Sequence, residues 1–394
     1  MRKARTLDEC VNIFDLRDCA RRRLPSPIFH FMEGGAESEW TARRNTEAFD
    51  DLQLIPRCLV DVSTVRTATC LLGQEVEWPL VCAPTGASRL FHTEGELAVA
   101  RAAAKSGALY SLATASTCSL EEVAAASNGP KMFEVYVYKD RNTTAELIAR
   151  CKQAGYRALC LMVDVPALGK RERDLRTGFN VWPKLSSRAL LSMALHPAWA
   201  VGQLRKGPVR MANLVGRSSA DGGIDELDPA VTWKDIRGFA EQWGGPFALK
   251  GVMSADDARR AADEGVSAVM VSNHGGRQLD GTAAAIDVLP DISRAVGDRL
   301  EIILDGGVRR GVHILKALAA GAKACSIGRP YLYGLSAGGE KGVAKALQIL
   351  RAEFVLALQL SGCANLECID ERLLLAMNAS GGFRAGGLRP LAND

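Results

Sequence analysis

Short apolar runs recur along the chain from residue 79 onward, each followed by a polar turn and usually by an amphipathic segment. Eight runs of this kind have the length of buried strands. They cover residues 80–83, 108–113, 132–137, 158–163, 247–250, 268–272, 302–305 and 324–327. Helical periodicity separates most of them, at residues 95–106, 144–154, 255–264 and 311–320. This alternation predicts an α/β fold, a (β/α)8 TIM barrel in a single domain over residues 1–394. A doubly wound sheet is disfavoured because no GxGxxG follows the first strand.

The residues ahead of the barrel predict an N-terminal helical segment. The pattern predicts a helix over residues 7–24 that ends at the prolines following it, with Leu7, Cys10, Val11 and Phe14 on its inner side. A second helix over residues 27–33 stops at a pair of glycines. Residues 36–75 have a mixed pattern, and we expect them to wrap the outside or the bottom of the barrel.

The interval between the fourth and fifth strands, residues 164–246, is far longer than one crossover needs. It contains an insertion at residues 183–215, in which residues 189–204 carry no formal charge and are flanked by arginine and lysine. The stretch is too short to span a bilayer. Its apolar, aromatic and flanking basic residues suit a segment lying on a membrane surface, and a lid or an oligomer contact is the alternative. The glycine-rich tail, residues 380–394, predicts a mobile end or one lying over a neighbour.

Composition narrows the class of protein. The net charge of +4 comes from scattered residues, which argues against nucleic acid as a partner. Eleven cysteines without a CxxC pair are typical of buried small residues in a reducing compartment. The N-terminus has no apolar stretch of the kind that a signal peptide needs. We therefore expect a cytoplasmic protein, with peripheral contact on the inner face of the membrane as an option, and no metal site, because no histidine pair has metal-ligand spacing.

His274 is the leading candidate for a catalytic base. It follows the sixth predicted strand in a polar, glycine-rich loop, and the C-terminal ends of barrel strands are where catalytic residues lie. Its near-neutral pKa suits proton transfer, whereas a lone histidine elsewhere is more often structural. Asp164, at the end of the fourth strand, is expected to orient it and to stabilise its charge, with a helix cap as the alternative role.

Two arginines are candidates for binding an anion. Arg277 lies three residues after His274, and Arg171 follows the fourth strand. A guanidinium group binds a carboxylate through two parallel hydrogen bonds, which lysine cannot do. A solvated surface arginine is the alternative, and it is more serious for Arg171, which lies in the charged run 170–174.

Glycine–arginine turns follow the seventh and eighth strands, at residues 305–311 and 327–330. Glycine lets backbone N–H groups approach a phosphate, and these two loops are the usual phosphate site of such barrels. Ordinary left-handed turns with solvated arginines are the alternative. Lys250 closes the fifth strand, where it can form a Schiff base, stabilise a reduced cofactor ring, or pair with a carboxylate of the barrel.

The chain resembles the FMN-dependent α-hydroxy-acid dehydrogenases and oxidases, such as glycolate oxidase, L-lactate dehydrogenase and mandelate dehydrogenase. The resemblance covers residues 10–375, and its most specific motif is Ser-Asn-His-Gly-Gly-Arg-Gln-Leu-Asp at residues 272–280. Supporting motifs lie at residues 35–37, 83–86, 136–140, 304–311 and 327–330.

The resemblance implies a role for each matching residue. His274 would take a substrate proton with Asp164 behind it, while Arg277, Arg171 and Tyr136 would hold the substrate. The residues that it implies for FMN binding are Pro84, Thr85, Gly86, Thr114, Lys250, Ser272, Asp305, Gly307, Arg309, Gly328 and Arg329. It also implies a homotetramer, and membrane-bound members of the family carry an apolar insertion at the position of residues 183–215.

Three positions depart from the family pattern. Phe31 replaces a substrate-binding tyrosine and lacks its hydroxyl group. Glu134 replaces a glutamine beside the flavin's pyrimidine edge, and Met162 replaces a threonine on the next strand. A glutamate must be protonated to donate a hydrogen bond, so an unusual flavin potential is expected. Small residues at Gly86 and Ala115 leave room for a substrate larger than glycolate.

The leading hypothesis is therefore FMN-dependent oxidation of an L-2-hydroxy acid, lactate- or mandelate-like, to the 2-oxo acid. Quinone or oxygen would accept the electrons, and the insertion favours quinone. Two alternatives stay open: a Schiff-base aldolase acting through Lys250, and a flavin-binding relative that has lost turnover or acts on an altered substrate.

Overall fold

Eight parallel strands form a closed barrel in the computed structural model, which describes Ala4 and residues 6–178, 187–214, 226–377 and 383–385. The barrel strands are β1 (Leu80–Cys82), β2 (Leu109–Ala113), β3 (Lys131–Val135), β4 (Ala158–Met162), β5 (Phe247–Val252), β6 (Ala268–Val271), β7 (Glu301–Asp305) and β8 (Ala324–Ile327). They pair in chain order, and β8 pairs with β1 to close the barrel. All eight predicted strands and the predicted fold are confirmed.

Helices surround the barrel and precede it. They are α1 (Ile13–Arg23), α2 (Ser26–Glu33), α3 (Trp40–Glu47), α4 (Gly95–Ser106), α5 (Leu120–Ala126), α6 (Arg141–Gln153), α7 (Glu172–Thr177), α8 (Ser187–Ala194), α9 (Pro197–Lys206), α10 (Trp233–Trp243), α11 (Ala255–Asp263), α12 (Ala285–Val296), α13 (Gly311–Ala319) and α14 (Arg329–Leu360). Helix α14 contains a kink, where Gly338 and Gly339 leave helical geometry. Its first part starts directly after β8, at the C-terminal end of the barrel.

Helix α1 begins later than the pattern predicts. The side chain of Asn12 accepts a hydrogen bond from the backbone N–H of Asp15 at 2.9 Å, which caps the helix at residue 13. The buried residues of the helix recur every three or four positions, at Ile13, Leu16, Cys19 and Ala20, and define its inner face. Val11 and Phe14 are 72% and 49% exposed, and their predicted inward placement is wrong.

Residues 36–75 divide between the two ends of the barrel. Strands Thr69–Leu71 and Gln74–Val76 form a hairpin whose Leu71 and Leu72 are buried against the first residues of the barrel strands, as predicted for the bottom. Helix α3 lies at the opposite end, because Asn45 hydrogen-bonds to Asn273 in the loop after β6. The predicted outer or bottom position is wrong for this helix.

The insertion after β4 contains two short helices, α8 and α9, which are separated by Leu195 and His196, and α9 begins at Pro197. The indole N–H of Trp199 donates to the carbonyl of Leu90 at 2.7 Å, so this aromatic side chain faces the protein. Leu195 and Leu204 are 70% and 81% exposed. No helix among the described residues is long and apolar enough to cross a membrane.

The C-terminal region adds a small antiparallel sheet. Strand Leu374–Met377 pairs with Leu52–Leu54 on one side and with Phe383–Ala385 on the other. Part of the predicted mobile tail is therefore a strand. The rest of that tail, and residues 183–186 and 215 of the predicted insertion, lie outside the described residues.

Candidate active site

His274 and Asp164 meet at the C-terminal end of the barrel. Nδ1 of His274 lies 3.1 Å from Oδ1 of Asp164, although 110 residues separate them in the chain. With Nδ1 donating to the carboxylate, the lone pair of Nε2 is the one available as a base. Burial lowers the pKa of His274, and Asp164 only partly opposes this effect. The imidazole is therefore neutral near pH 7, the state that a proton acceptor needs.

The backbone around His274 is unusual and is fixed by glycines. His274 has φ +58°, and Gly275 and Gly276 follow with φ +63° and +73°. A side chain at Gly276 would overlap the backbone of Ala42 in α3. The N–H of His274 donates to Oγ of Ser272 at 3.0 Å. This turn holds a non-glycine residue in the left-handed region, a conformation that functional sites retain when their surroundings fix it.

Long-range hydrogen bonds hold the loop after β6 to helix α3 and to the loop after β4. Asn45 and Asn273 donate to each other through their side-chain amides, both at 2.8 Å. Gln278 donates from Nε2 to the carbonyls of Asp164 and Ala167, at 2.9 and 2.8 Å. Gln278 lies in the recognised motif, but no local signal marks Asn45, because its partner is remote in the chain.

Lys250, Ser272 and Asp305 form a buried cluster. Nζ of Lys250 lies 3.0 Å from Oδ2 of Asp305 and donates to Oγ of Ser272 at 3.2 Å, while Ser272 donates to Asp305 at 2.7 Å. Burial works against the charge of Lys250, but Asp305 and the other nearby carboxylates outweigh it and raise the pKa of the ammonium group. Lys250 is therefore held as a cation. Pairing with a carboxylate of the barrel is one of the three roles that the sequence predicts for it.

Arg171 and Arg277 lie together beside His274. Burial lowers the pKa of both, and Arg171 further lowers the pKa of Arg277. Nη1 of Arg277 donates to the carbonyls of Phe31 and Gly34, at 3.0 and 2.7 Å. Nε of Arg171 is buried, and no described residue hydrogen-bonds to it. Two neighbouring, partly buried cations, one with a free donor, favour an anion between them.

The turns after β7 and β8 form the other end of the pocket. Gly307 has φ +78°, and an added Cβ would overlap the carbonyl oxygen of Asn45, so the turn requires glycine. Gly328 caps α14, whose first N–H groups can bind an anion. Arg329 donates to the carbonyls of Glu33, Gly34 and Gly275, and Arg309 donates to the carbonyl of Val308.

Residues after β1 form one wall of the pocket. The hydroxyl of Tyr331 donates to the carbonyl of Ala83 at 2.6 Å, so Thr85, 2.7 Å away, donates its own proton to Tyr331. A Cβ at Gly86 would lie 2.9 Å from the carbonyl oxygen of Ala115, which keeps this wall close to the next loop. Phe31 stacks on Phe91 with ring centroids 6.2 Å apart, and it lies under the Arg277 guanidinium group.

A pocket of about 1430 Å³, part of it open to solvent, connects these groups. The predicted residues that line it are Phe31, Pro84, Thr85, Gly86, Glu134, Tyr136, Arg171, Lys250, His274, Arg277, Asp305, Gly307, Arg309, Gly328 and Arg329. Asp164 and Ser272 lie behind His274 and Lys250. The sequence analysis does not predict four apolar residues that also line the pocket, namely Phe91, Leu168, Met211 and Leu332.

Two predicted cofactor residues lie apart from this pocket. The hydroxyl of Thr114 donates to the backbone carbonyl of Glu134 at 2.7 Å and accepts from the N–H of Tyr136 at 3.3 Å. Thr114 therefore positions β3. Met162 lines an adjoining cavity that it shares with Tyr136. Among the described residues, no cluster of three or more potential metal ligands is present.

Comparison with known proteins places the chain among flavoenzymes. The model of a family described as FMN-dependent dehydrogenase matches residues 20–376. The chain is 42% identical over 369 residues to L-lactate oxidase of Nostoc sp., covering 92% of this chain and 98% of that protein. It is 39% identical over 368 residues to glycolate oxidase of Spinacia oleracea, covering 93% and 96%. A crystal structure of the monotopic membrane protein (S)-mandelate dehydrogenase superposes with a TM-score of 0.89 at 34% identity, covering 93% of this chain and 99% of the other.

Proposed function

The chain belongs to the FMN-dependent dehydrogenase family of α-hydroxy-acid-oxidising enzymes, and we propose that it oxidises an L-2-hydroxy acid with an apolar side chain larger than that of glycolate. The product is the corresponding 2-oxo acid. One observation carries this proposal: a neutral, carboxylate-oriented His274 shares a pocket with two neighbouring, partly buried arginines. A base beside an anion clamp is what removal of a proton from a hydroxy carboxylate needs.

The pocket fits FMN, the cofactor of the family. Gly307 and Gly328 line the pocket at the end where Arg309 and Arg329 lie, and glycine turns beside arginines suit a phosphate. The fixed cation Lys250 lines the middle of the pocket, where it can stabilise negative charge on a flavin ring. When bound, FMN supplies the two-electron acceptor that amino-acid side chains lack.

The protein's own groups divide the remaining work. Arg277 and Arg171 bind the substrate carboxylate and hold the molecule with its α-carbon near His274. His274 takes up a proton of the substrate through Nε2, and Asp164 stabilises the imidazolium that this step forms. Phe31 lacks the hydroxyl of a tyrosine, so the hydroxyl of Tyr136 contributes to substrate orientation without that second donor.

The side chain of the substrate would lie among apolar residues. Phe31, Phe91, Leu168 and Met211 line this side of the pocket, and Gly86 and Ala115, which pack closely on each other, add no large side chain to it. Burying an aryl or long alkyl group there gains about 25 cal/mol for each Å² removed from water. We therefore expect mandelate-like or longer 2-hydroxy acids to bind better than glycolate.

The aldolase alternative is disfavoured by the charge of Lys250. A Schiff-base lysine must be neutral to attack a carbonyl, and its pKa is then usually lowered. Carboxylates raise the pKa of Lys250 here. Borohydride treatment in the presence of a carbonyl substrate should accordingly leave no covalent adduct at this residue.

Anaerobic absorbance titration of the purified holoenzyme tests the proposed reaction. Glycolate, L-lactate, (S)-mandelate and longer L-2-hydroxy acids are added in turn, and loss of the oxidised flavin absorbance is followed. Bleaching by the larger acids at lower concentrations than by glycolate is expected. Bound flavin that none of these acids reduces would favour the alternative of a relative that has lost turnover, and failure to bind FMN would contradict both.

We also propose that the insertion contacts a membrane surface and that a membrane quinone reoxidises the enzyme. The support is the exposed apolar face of α8 and α9, which includes Leu191, Leu195, Val201 and Leu204, together with the monotopic character of the similar (S)-mandelate dehydrogenase. Arg205 and Lys206 end α9, where they can contact anionic headgroups.

The double variant Leu195→Ser/Leu204→Ser tests the membrane contact. Both side chains are largely exposed, so folding and flavin reduction should be unchanged while cosedimentation with anionic lipid vesicles falls severalfold. Leu279→Ser, which changes an exposed leucine in the loop after β6, is the matched control. Equal vesicle binding by all three proteins would contradict the proposed surface.

A further inference from the structure

Glu134 is a buried acid that the chemistry above does not use. It lies on β3, its exposure is 1%, and its side chain lines the pocket. No described residue hydrogen-bonds to its Oε2 atom, which is buried. A buried polar atom without a partner is destabilising, and a ligand bound in the pocket can supply the missing partner.

The surroundings of Glu134 oppose its ionisation. Five titratable groups lie near Glu134 and interact with it. Lys250 is on β5, Cys160 is on β4, Asp305 is on β7, Asp164 follows β4, and Tyr136 follows β3. On its remaining side, β2 places Ala113 opposite Glu134. The cation in this group, Lys250, is paired with Asp305. Burial raises the pKa of Glu134 to about 8, because Lys250, which lowers this pKa, is outweighed by burial together with Asp164 and Asp305.

We propose that Glu134 is held as a neutral carboxylic acid and donates a hydrogen bond to an acceptor atom of the FMN ring. This inference rests on the proposed binding of FMN in this pocket. A neutral carboxyl group offers one O–H donor and one C=O acceptor, as a side-chain amide does. The ionised group offers acceptors alone, so it loses the hydrogen bond and places a negative charge beside the ring.

The proposal makes FMN binding depend on pH through one side chain. Below about pH 8 the acid is protonated before FMN binds, and the affinity is constant. Above that pH, binding must first return a proton to Glu134. The affinity then falls by about tenfold per pH unit until the pKa of the FMN-bound form is reached.

The test measures FMN dissociation from the holoenzyme at several pH values, from about pH 6 to about pH 9.5, by the fluorescence of released FMN. Wild type should lose at least about tenfold in affinity across the alkaline half of this range. Glu134→Gln, which keeps the donor and the acceptor but cannot ionise, should have a flat profile. Parallel profiles for the two proteins would overturn the inference, because another group would then control the pH dependence.

If Glu134→Gln does not fold, the pH profile of FMN dissociation from the wild-type protein tests the inference by itself. An affinity that stays constant to the alkaline end would show that Glu134 needs no proton to accommodate FMN, and it would overturn the inference while leaving the proposed function intact. A wild-type protein that binds no FMN at any pH would instead contradict the proposed function.

Discussion

Two pairs of a basic and an acidic side chain lie at the same end of the barrel, the first partly buried and the second buried, and their surroundings affect them differently. In the first, His274 is 3.1 Å from Asp164, and burial lowers the pKa of the imidazole. In the second, Lys250 is 3.0 Å from Asp305, and its pKa is raised. The difference follows from the surroundings: several carboxylates and Ser272 surround Lys250, whereas Lys250 and Arg171 oppose a charge on His274. One pair can move a proton, and the other holds a fixed charge.

Removing the base should have the largest effect. We expect His274→Ala to lower the rate of flavin reduction by hydroxy acid by about 10⁴-fold, the upper range for a general base, because no neighbouring group can replace Nε2. FMN should remain bound, since the other pocket residues are unchanged. Stopped-flow absorbance measures the rate, and the flavin-to-protein ratio is the control. A rate near that of wild type would remove His274 from the mechanism.

Breaking the pair of Lys250 and Asp305 should lower the stability of the protein more than it affects proton transfer. Lys250→Met leaves Asp305 buried without its cation, which costs about 3–5 kcal/mol of the free energy of unfolding. Lys250→Met/Asp305→Asn removes both charges and should recover part of this loss. Urea unfolding monitored by circular dichroism measures both proteins. An unchanged midpoint for Lys250→Met would mean that the pair is not structurally coupled.

Changing the orienting acid should have a smaller effect than removing the base. Asp164→Asn keeps the shape but removes the charge that stabilises the imidazolium, and we expect flavin reduction to slow by about 10²-fold. Since Gln278 binds the backbone carbonyl of residue 164, the loop itself should stay in place. Stopped-flow reduction with the preferred substrate checks this. A loss as large as that of His274→Ala would indicate that Asp164 does more than orient and stabilise.

The pH dependence of flavin reduction should show the smallest effect, and it distinguishes the His274–Asp164 pair from the Lys250–Asp305 pair. Because the pKa of His274 is below its usual value, the reduction rate should be constant at neutral pH and should fall only in acid, as the imidazole gains a proton. Asp164 raises this pKa and Lys250 lowers it. Asp164→Asn should therefore move the inflection to lower pH, and Lys250→Met should move it to higher pH. Shifts in the same direction for both variants would contradict the opposed roles of the two pairs.

Several parts of the site could be predicted because their signals are local. The strand ends, the glycine turn at residues 272–276 and the arginines after β7 and β8 each depend on neighbours in the chain. Thr114 shows the limit of this approach. The family resemblance implies a role for Thr114 in FMN binding, but in the structure its hydroxyl donates to the backbone carbonyl of Glu134. The structure likewise turns Trp199 towards Leu90 and leaves leucines on the exposed face of the insertion.

The sequence by itself determined the eight strands, their order and the chemistry available at their ends, because periodicity and glycine placement act over a few residues. Only the tertiary structure decided which groups meet and in what charge state. Asn45 supports the His274 loop by bonding to Asn273, 228 residues away in the chain, and Glu134 is kept neutral by burial and by the carboxylates of Asp164 and Asp305. Burial and electrostatic interaction depend on distances in space, and the local pattern of residues carries no record of them.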